Sequence, residues 1–210
     1  MSWVRIVIVV SWAVVFAGWV YGISRTSPKL IKRIENPWEC RLFGITAFCI
    51  LLVSIFDVGL VQANLGVLPV YWPAWAFFLS GPILYYWARI ELDGSWSSEA
   101  QISEATRLVD GGPYALMRHP IYFSKTLMAY SSSLILMNWV ILALSCVLLS
   151  TAIYQARIEE SLLSKNVPQY REYQNRVPMF LAFGLSEELG RRAKAWVSRL
   201  LGIFQHPPTK

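Results

Sequence analysis

Five long apolar runs limit the possible folds of this chain more than any other feature of its sequence. Each run contains about 17–25 residues, which is enough helix to cross a hydrocarbon layer of about 30 Å. The runs cover residues 3–23, 42–61, 71–88, 121–137 and 139–156. We therefore predict an all-α fold, a polytopic helical membrane protein with about five transmembrane helices. The first run lacks a small-residue cleavage site, so we expect a retained span and not a signal peptide.

The composition supports the same class of protein. Of the 210 residues, 55% are hydrophobic and only 15% are charged, whereas about a quarter of an average soluble domain is charged. The net charge of +6 does not indicate nucleic-acid binding, because the basic residues flank apolar runs. That pattern sets membrane topology and attracts anionic lipid. The three cysteines lack metal-site spacing, so we predict no metal site and reduced thiols.

The distribution of charge between the runs predicts an orientation. The loop 24–41 carries five basic residues, while the loop 64–69 and the hairpin tip at Asn138 carry no charge. The segment 89–118 and the tail after Arg157 are charged again. Because positive loops stay in the cytoplasm, we expect the amino terminus outside and the carboxyl terminus in the cytoplasm.

Two charged clusters flank the last pair of runs. Arg118 and His119 precede the fourth run, and Arg157, Glu159 and Glu160 follow the fifth. Each run rises about 26 Å, so a helical hairpin returns both clusters to the same cytoplasmic face. Ionisable residues at a membrane are costly and tend to be functional. We therefore predict a cytoplasmic pocket for a polar, charged ligand.

Each cluster also has a purely structural interpretation. Pro120 suits the first turn of a helix, and the N-terminus of such a helix binds anions. In the structural interpretation, Arg118 only extends towards lipid phosphate. Arg157 and Glu160 can form an ordinary pair on one helix surface. In the following segment, Tyr170, Tyr173 and Arg176 share a helical face, which can close over the pocket or simply pack.

The end of the chain has a different pattern. Residues 187–204 place apolar side chains on one helical face and basic side chains on the others. This pattern predicts an interfacial helix lying on anionic lipid. We thus divide the chain into three amino-terminal helices at 1–90, a core at 91–178, and an amphipathic tail at 179–210.

The ordered motifs resemble one known family. They are Gly-Pro-Tyr at 112–114, Arg-His-Pro-Ile-Tyr at 118–122, Glu-Glu at 159–160 and Tyr-x-x-Tyr-x-x-Arg-Val-Pro at 170–178. Together they resemble the isoprenylcysteine carboxyl methyltransferase family, and the related phospholipid N-methyltransferases look similar through this region. The resemblance implies a small helical membrane enzyme that holds S-adenosylmethionine (SAM) at its cytosolic face.

The resemblance also implies residue roles. The cofactor-binding residues would be Leu108, Val109, Gly112, Tyr114, Arg118, His119, Pro120, Tyr122, Glu159 and Glu160. The catalytic residues would be Arg157, Glu160 and Arg176, with an arginine positioning the acceptor carboxylate. An amine or thiol acceptor would instead need a general base, for which Glu160 and His119 are candidates.

These features favour a SAM-dependent methyltransferase that acts on a lipophilic acceptor, with O-methyl transfer to the carboxylate of an isoprenylcysteine-like or other lipid-linked substrate. The alternatives are a phospholipid N-methyltransferase, an NADPH-dependent membrane reductase and a non-enzymatic lipid-binding membrane protein. The expected partners are lipidated or lipophilic substrates and membrane lipids, without nucleic acid.

Overall fold

Helices account for nearly all of the described chain. The computed structural model describes residues 3–25, 30–33, 37–56, 71–92, 101–103 and 107–181. The helices are α1 (Trp3–Arg25), α2 (Pro37–Phe56), α3 (Tyr71–Leu92), α4 (Pro120–Leu136), α5 (Trp139–Asn166) and the short α6 (Tyr170–Arg176). Each predicted apolar run forms a helix wherever it is described, apart from Met137 at the end of the fourth run. The end of the second run and the predicted interfacial helix at 187–204 lie outside the described residues.

Two of the described helices are long and apolar enough to cross a membrane. They cover Trp3–Tyr21 in α1 and Trp139–Asn166 in α5, while the apolar stretch Gly44–Phe56 of α2 is shorter. Length and composition therefore agree with a membrane protein. The number of crossings and their orientation stay predictions.

A pair of short strands departs from the predicted all-α fold. Strand β1 (Leu30–Arg33) pairs antiparallel with β2 (Gln101–Ser103), and Arg33 lies opposite Gln101. The all-α prediction missed this pair because the two segments are about seventy residues apart in sequence, and each is too short to show an alternating pattern. The pairing joins the segment that follows α1 to the segment that follows α3.

The predicted tight turn between α4 and α5 is confirmed. Met137 adopts a left-handed conformation with φ of 48° and ends α4. The Asn138 side chain then caps α5, since its Oδ1 accepts hydrogen bonds from the N–H groups of Val140 at 2.9 Å and Ile141 at 3.0 Å. A short polar residue at this position satisfies N–H groups that the helix leaves open. The carboxyl-terminal half of α5 therefore runs back towards the start of α4.

Helices α3 and α4 approach each other closely at Gly81 in α3. A Cβ atom there would lie 2.2 Å from Cγ of Met128 and 3.2 Å from the carbonyl oxygen of Ser124, both in α4. Only a glycine lets the two backbones come this near. Pro82 lies inside the same helix, directly after Gly81.

The core of the bundle lies among α1 to α5. Fully buried side chains include Ile8, Ile50, Phe78, Met128 and Leu148, one from each helix. Two polar contacts fix α1 against its neighbours. Trp12 Nε1 donates to Ser132 Oγ at 3.1 Å, and the Tyr86 hydroxyl donates to the Val14 carbonyl at 2.6 Å.

Candidate functional site

The candidate site lies where the start of α4 meets the second half of α5 and the chain that follows α6. The backbone N–H of Arg118 donates to the carbonyl of Pro178 at 2.9 Å, and that of His119 donates to Met179 at 3.2 Å. Because these two N–H groups donate to backbone carbonyls of the protein, they do not contribute to the anion site that the sequence predicts at the start of α4. The pairing holds the segment after α6 against the Arg-His motif.

Arg118 is the centre of a buried hydrogen-bond network. Its Nε donates to Glu160 Oε1 at 2.6 Å, and its Nη1 donates to the carbonyls of Gln174 at 2.8 Å and Val177. A guanidinium group suits this role because it presents several donors in a fixed plane. The hydrogen bonds of Arg118 therefore connect the start of α4 to α5 and to the chain around the end of α6.

Both carboxylate oxygens of Glu160 accept hydrogen bonds in this network. Its Oε1 also lies 3.1 Å from His119 Nε2, and its Oε2 accepts a hydrogen bond from Gln174 Nε2 at 2.9 Å. Only 7% of the side chain is exposed. Removing a carboxylate with this set of partners would leave the buried Arg118 without its counter-charge.

Glu159 is the more open part of the network and contacts the buried His119. His119 Nδ1 lies 3.5 Å from Glu159 Oε2, and the Tyr122 hydroxyl donates to Glu159 Oε1. The His119 and Tyr122 rings stack at 5.6 Å between centroids. A quarter of the Glu159 side chain is exposed, at 25%. Glu159 thus presents a positioned carboxylate at the edge of the network.

The charged form of His119 is favoured by its two neighbours. Burial alone would lower its pKa, but hydrogen bonds and charges from Glu159 and Glu160 outweigh burial and raise the pKa above the ordinary value. The geometry gives the reason, because both ring nitrogens face carboxylate oxygens. A neutral imidazole can donate through only one nitrogen, whereas the imidazolium donates through both.

This raised pKa predicts a pH-dependent stability. The stabilisation from protonated His119 should be complete below the ordinary histidine pKa of about 6.5 and disappear as pH rises through the higher pKa of the folded state. We expect the melting temperature of the detergent-purified protein to fall as the pH rises above about 6.5. His119→Gln should flatten this part of the profile, as measured by tryptophan fluorescence during heating. Parallel profiles for the two proteins would contradict this assignment.

Helix α6 packs against the loop that precedes the Arg-His motif. The Tyr173 hydroxyl donates to the Tyr114 carbonyl at 2.7 Å, and both tyrosines are buried. Tyr170, Tyr173 and Val177 form a small apolar cluster, against which Leu108 packs. The packing interpretation of the two α6 tyrosines therefore agrees with the structure.

The glycine pair before Pro113 lies against the end of α3. Gly112 has a φ of +53°, and a Cβ atom there would lie 2.9 Å from Glu91 Oε2 and 3.2 Å from Trp87 Nε1. A Cβ on Gly111 would lie 2.8 Å from Glu91 Oε1. The left-handed conformation and the close approach both favour glycine at 112. This turn leads directly into the buried Pro113 and Tyr114.

The structure does not bring every predicted site residue together. Arg118, His119, Tyr122, Glu159 and Glu160 share one network, Pro120 begins α4 beside it, and Leu108 and Tyr114 connect to it through α6. Val109 is half-buried next to Leu108 in the same loop. Gly112 lies apart from the network, against Glu91 of α3. The other two predicted residues lie at the surface: Arg157 is exposed, and Arg176 is 64% exposed and pairs with Asp110 at 3.0 Å.

Three polar residues near the site were missed by the sequence analysis. Gln174 joins the Glu160 network, and Glu91 lies against the glycine pair. Lys125 is buried in α4, with its Nζ 5.5 Å from the Tyr85 ring centroid. Only Lys125 had a visible signal, because a lysine within an apolar run is costly. Within the described ranges, no group of three or more His, Cys, Asp or Glu side chains is arranged to hold a metal ion.

Comparison with known proteins confirms the resemblance. The model of the isoprenylcysteine carboxyl methyltransferase family matches residues 74–164, which contain α4 and most of α3 and α5. The nickel-cobalt-cadmium resistance protein NccN of Alcaligenes xylosoxydans xylosoxydans is 38% identical over 82 residues. That match covers 37% of this chain and 37% of the relative. The chain thus spans little more than a third of this relative's length.

Proposed function

We propose that this protein is an integral membrane methyltransferase that transfers a methyl group from SAM to the carboxylate of a lipophilic acceptor. An isoprenylcysteine-like or other lipid-linked carboxylic acid is the expected acceptor. One observation carries the proposal: the family match over 74–164 contains Arg118, His119, Glu159 and Glu160, all of which meet in one network.

The residues around Glu159 fit SAM. When bound, SAM supplies an electrophilic methyl group on a sulfonium centre, and it also carries hydroxyl and ammonium donors. Glu159 offers such donors a partly exposed carboxylate, which Tyr122 and His119 hold in place. Leu108 and Val109 are half-buried in the adjacent loop and offer apolar surface to a nucleoside. These five residues are the ones we propose to hold the cofactor.

The state of Glu160 favours a carboxylate acceptor. A carboxylic acid is already ionised near neutral pH, so its methylation needs alignment and exclusion of water but no general base. An amine acceptor would need a base, and Glu160 is poorly suited because Arg118, His119 and Gln174 occupy it. Transfer of the methyl group would form a bond to the carboxylate oxygen and break the bond to the sulfonium sulfur. The products, an ester and a thioether, are neutral at the reacting centres, and a low-dielectric site favours this loss of charge.

The proposed enzyme crosses the membrane five times, through α1 to α5. The pairing of β1 with β2 supports this, because it joins the segments that follow two helices of the same predicted direction. The amino terminus lies outside, and the site and carboxyl terminus are cytoplasmic. Within this arrangement the catalytic core covers residues 91–178, between the first three helices and the tail.

The proposal is tested with purified protein in detergent. Calorimetric titration should give saturable binding of SAM and none of NADPH. With radiolabelled SAM and an S-prenylated N-acetylcysteine, the product should carry a base-labile methyl ester. Binding of NADPH alone would indicate the reductase alternative, and methylation of phosphatidylethanolamine in place of the acid would indicate N-methyl transfer. Binding of neither nucleotide would leave the non-enzymatic lipid-binding alternative.

A further inference from the structure

Helices α1 and α3 run in the same direction through the bundle. The ring of Trp3 at the start of α1 stacks on that of Trp75 in α3, with 6.0 Å between the centroids. Eleven residues further along each helix, the Tyr86 hydroxyl of α3 donates to the Val14 carbonyl of α1 at 2.6 Å. Because both contacts have the same offset in sequence, the two helices are parallel.

Helix α5 has this direction too. Gly81 at the middle of α3 lies against Met128 of α4. Glu91 near the end of α3 lies against Gly112, in the turn that precedes α4. Helix α4 is therefore antiparallel to α3, and the tight turn at Asn138 makes α5 antiparallel to α4. The starts of α1, α3 and α5 thus lie at one side of the bundle and their ends at the other.

Exposed aromatic side chains occur at two levels along these three helices. Those near the helix starts are Trp3, Trp72 and Trp139, and those nearer the ends are Tyr21, Trp87 and Tyr154. The two on each helix are 15 to 18 residues apart, which is a rise of about 22 to 27 Å. Exposed Trp and Tyr concentrate at the two interfaces of a membrane, whose hydrocarbon core is about 30 Å thick. In the proposed topology the second set marks the cytoplasmic interface, and we call it the cytoplasmic aromatic belt.

Arg157 follows this belt on the outward surface of α5. It comes three residues after Tyr154, so the two exposed side chains are neighbours on the helix. Its position is about 4.5 Å beyond Tyr154, within a headgroup layer about 5 to 7 Å thick. Glu160, three residues further on, turns its carboxylate to Arg118 at 2.6 Å and does not neutralise Arg157. The positive charge of Arg157 therefore faces the layer in which lipid phosphates lie.

We propose that Arg157 binds the phosphate group of an anionic phospholipid at the cytoplasmic interface. This inference rests on the topology of the proposed function, and it gives Arg157 a lipid contact in place of the catalytic role that the family resemblance implied. A guanidinium group can donate two parallel hydrogen bonds to a phosphate. Glu159 lies about 3 Å further along α5, so the proposed cofactor carboxylate is at headgroup depth. An acceptor whose polar end lies among the headgroups would thus reach SAM without leaving the membrane.

The test compares two lipids that share a phosphate group. Short-chain phosphatidylglycerol is anionic, whereas the matching phosphatidylcholine also carries a cationic choline. Each is titrated into the purified full-length protein in a neutral detergent, and the rise in melting temperature gives a half-saturating concentration. We expect Arg157→Gln to reduce the preference for phosphatidylglycerol over phosphatidylcholine about fivefold, the effect of one basic residue at an anionic surface. Arg157→Lys keeps the charge and should retain most of the preference.

Lys165→Gln is the matched control, because it removes one positive charge from an exposed position on the same helix. Lys165 lies about 12 Å beyond Arg157, outside the headgroup layer and more than a Debye length away at about 0.15 M salt. Its replacement should change the preference by less than about twofold. Circular dichroism of both variants should match that of the wild-type protein, because both side chains are exposed.

Three outcomes would overturn the proposal. One is an unchanged lipid preference in Arg157→Gln. Another is an equal loss of preference in Lys165→Gln, which would show an effect of net charge and not of position. The third is stabilisation by inorganic phosphate at the same concentration as phosphatidylglycerol, which would identify a site for a free anion and not for a lipid.

The failure of this inference differs from the failure of the proposed function. Loss of methyl transfer in Arg157→Gln, with an unchanged lipid preference, would overturn the lipid contact and leave the methyltransferase proposal in place. An Arg157-dependent preference for phosphatidylglycerol in a protein that does not bind SAM would contradict the methyltransferase proposal and leave the lipid contact in place.

Discussion

Replacing Glu160 with alanine is expected to lower the free energy of unfolding by about 3 kcal/mol, because two buried cations lose their shared carboxylate. In this variant Arg118 keeps its hydrogen bonds to the carbonyls of Gln174 and Val177, and His119 can release its proton. The destabilisation should therefore lie at the lower end of the range for removing one partner of a buried ion pair. Chemical denaturation in detergent, followed by tryptophan fluorescence and circular dichroism, measures the change.

A matched control separates this effect from the general loss of a carboxylate. Glu172 is exposed on α6, so Glu172→Ala should change the free energy of unfolding by well under about 1 kcal/mol. A double-mutant cycle with Arg118→Ala should give a coupling energy of at least about 1 kcal/mol between Arg118 and Glu160. A Glu160→Ala protein that unfolds like Glu172→Ala would show that the network does not stabilise the fold.

Replacing Glu159 with glutamine is expected to weaken SAM binding by about 10- to 100-fold with little loss of stability. Glutamine keeps the size of the side chain and can still accept the hydrogen bond from Tyr122, but it lacks the negative charge. Because Glu159 is partly exposed, removing its charge leaves the buried Arg118 and Glu160 pair in place. Calorimetric titration with SAM and the melting temperature are measured on the same preparation.

The contrast with Glu160 makes this prediction specific. Glu159→Gln should affect binding far more than stability, whereas Glu160→Ala should affect stability first. Glu172→Gln serves as the control and should bind SAM like the wild-type protein. Unchanged SAM affinity in Glu159→Gln would exclude this carboxylate from the cofactor site.

Much of the site could be predicted from local rules. Pro120 begins α4 because its missing N–H is not needed there, and Asn138 caps the start of α5 because its side chain satisfies open N–H groups. Two helices joined by a tight turn must run antiparallel, so the convergence of the two charged clusters also followed from sequence. These inferences depend only on neighbouring residues and on helix length.

Other parts of the site could not be predicted, because they depend on the path of the chain in space. The carbonyls of Gln174 and Val177 reach Arg118 only because α6 and the residues after it fold back against the start of α4. Nothing in the sequence near Gln174 distinguishes it from its polar neighbours. The β1 and β2 pairing was missed for the same reason, since each strand depends on a partner far away in the chain.

The sequence by itself determined where the apolar helices lie, the turn between α4 and α5 and the two charged clusters, because hydrophobicity and turn signals are local properties. It did not give every helix end, since α2 begins at Pro37 and α5 continues to Asn166. Only the tertiary structure decided which charge pairs with which. The packing of α5 against α2 and α4 sets its rotation, which turns Glu160 towards Arg118 and leaves Arg157 exposed. It also encloses Lys125 between helices that are distant in sequence. The partner of a charged side chain depends on these non-local contacts, so residue spacing alone could not identify it.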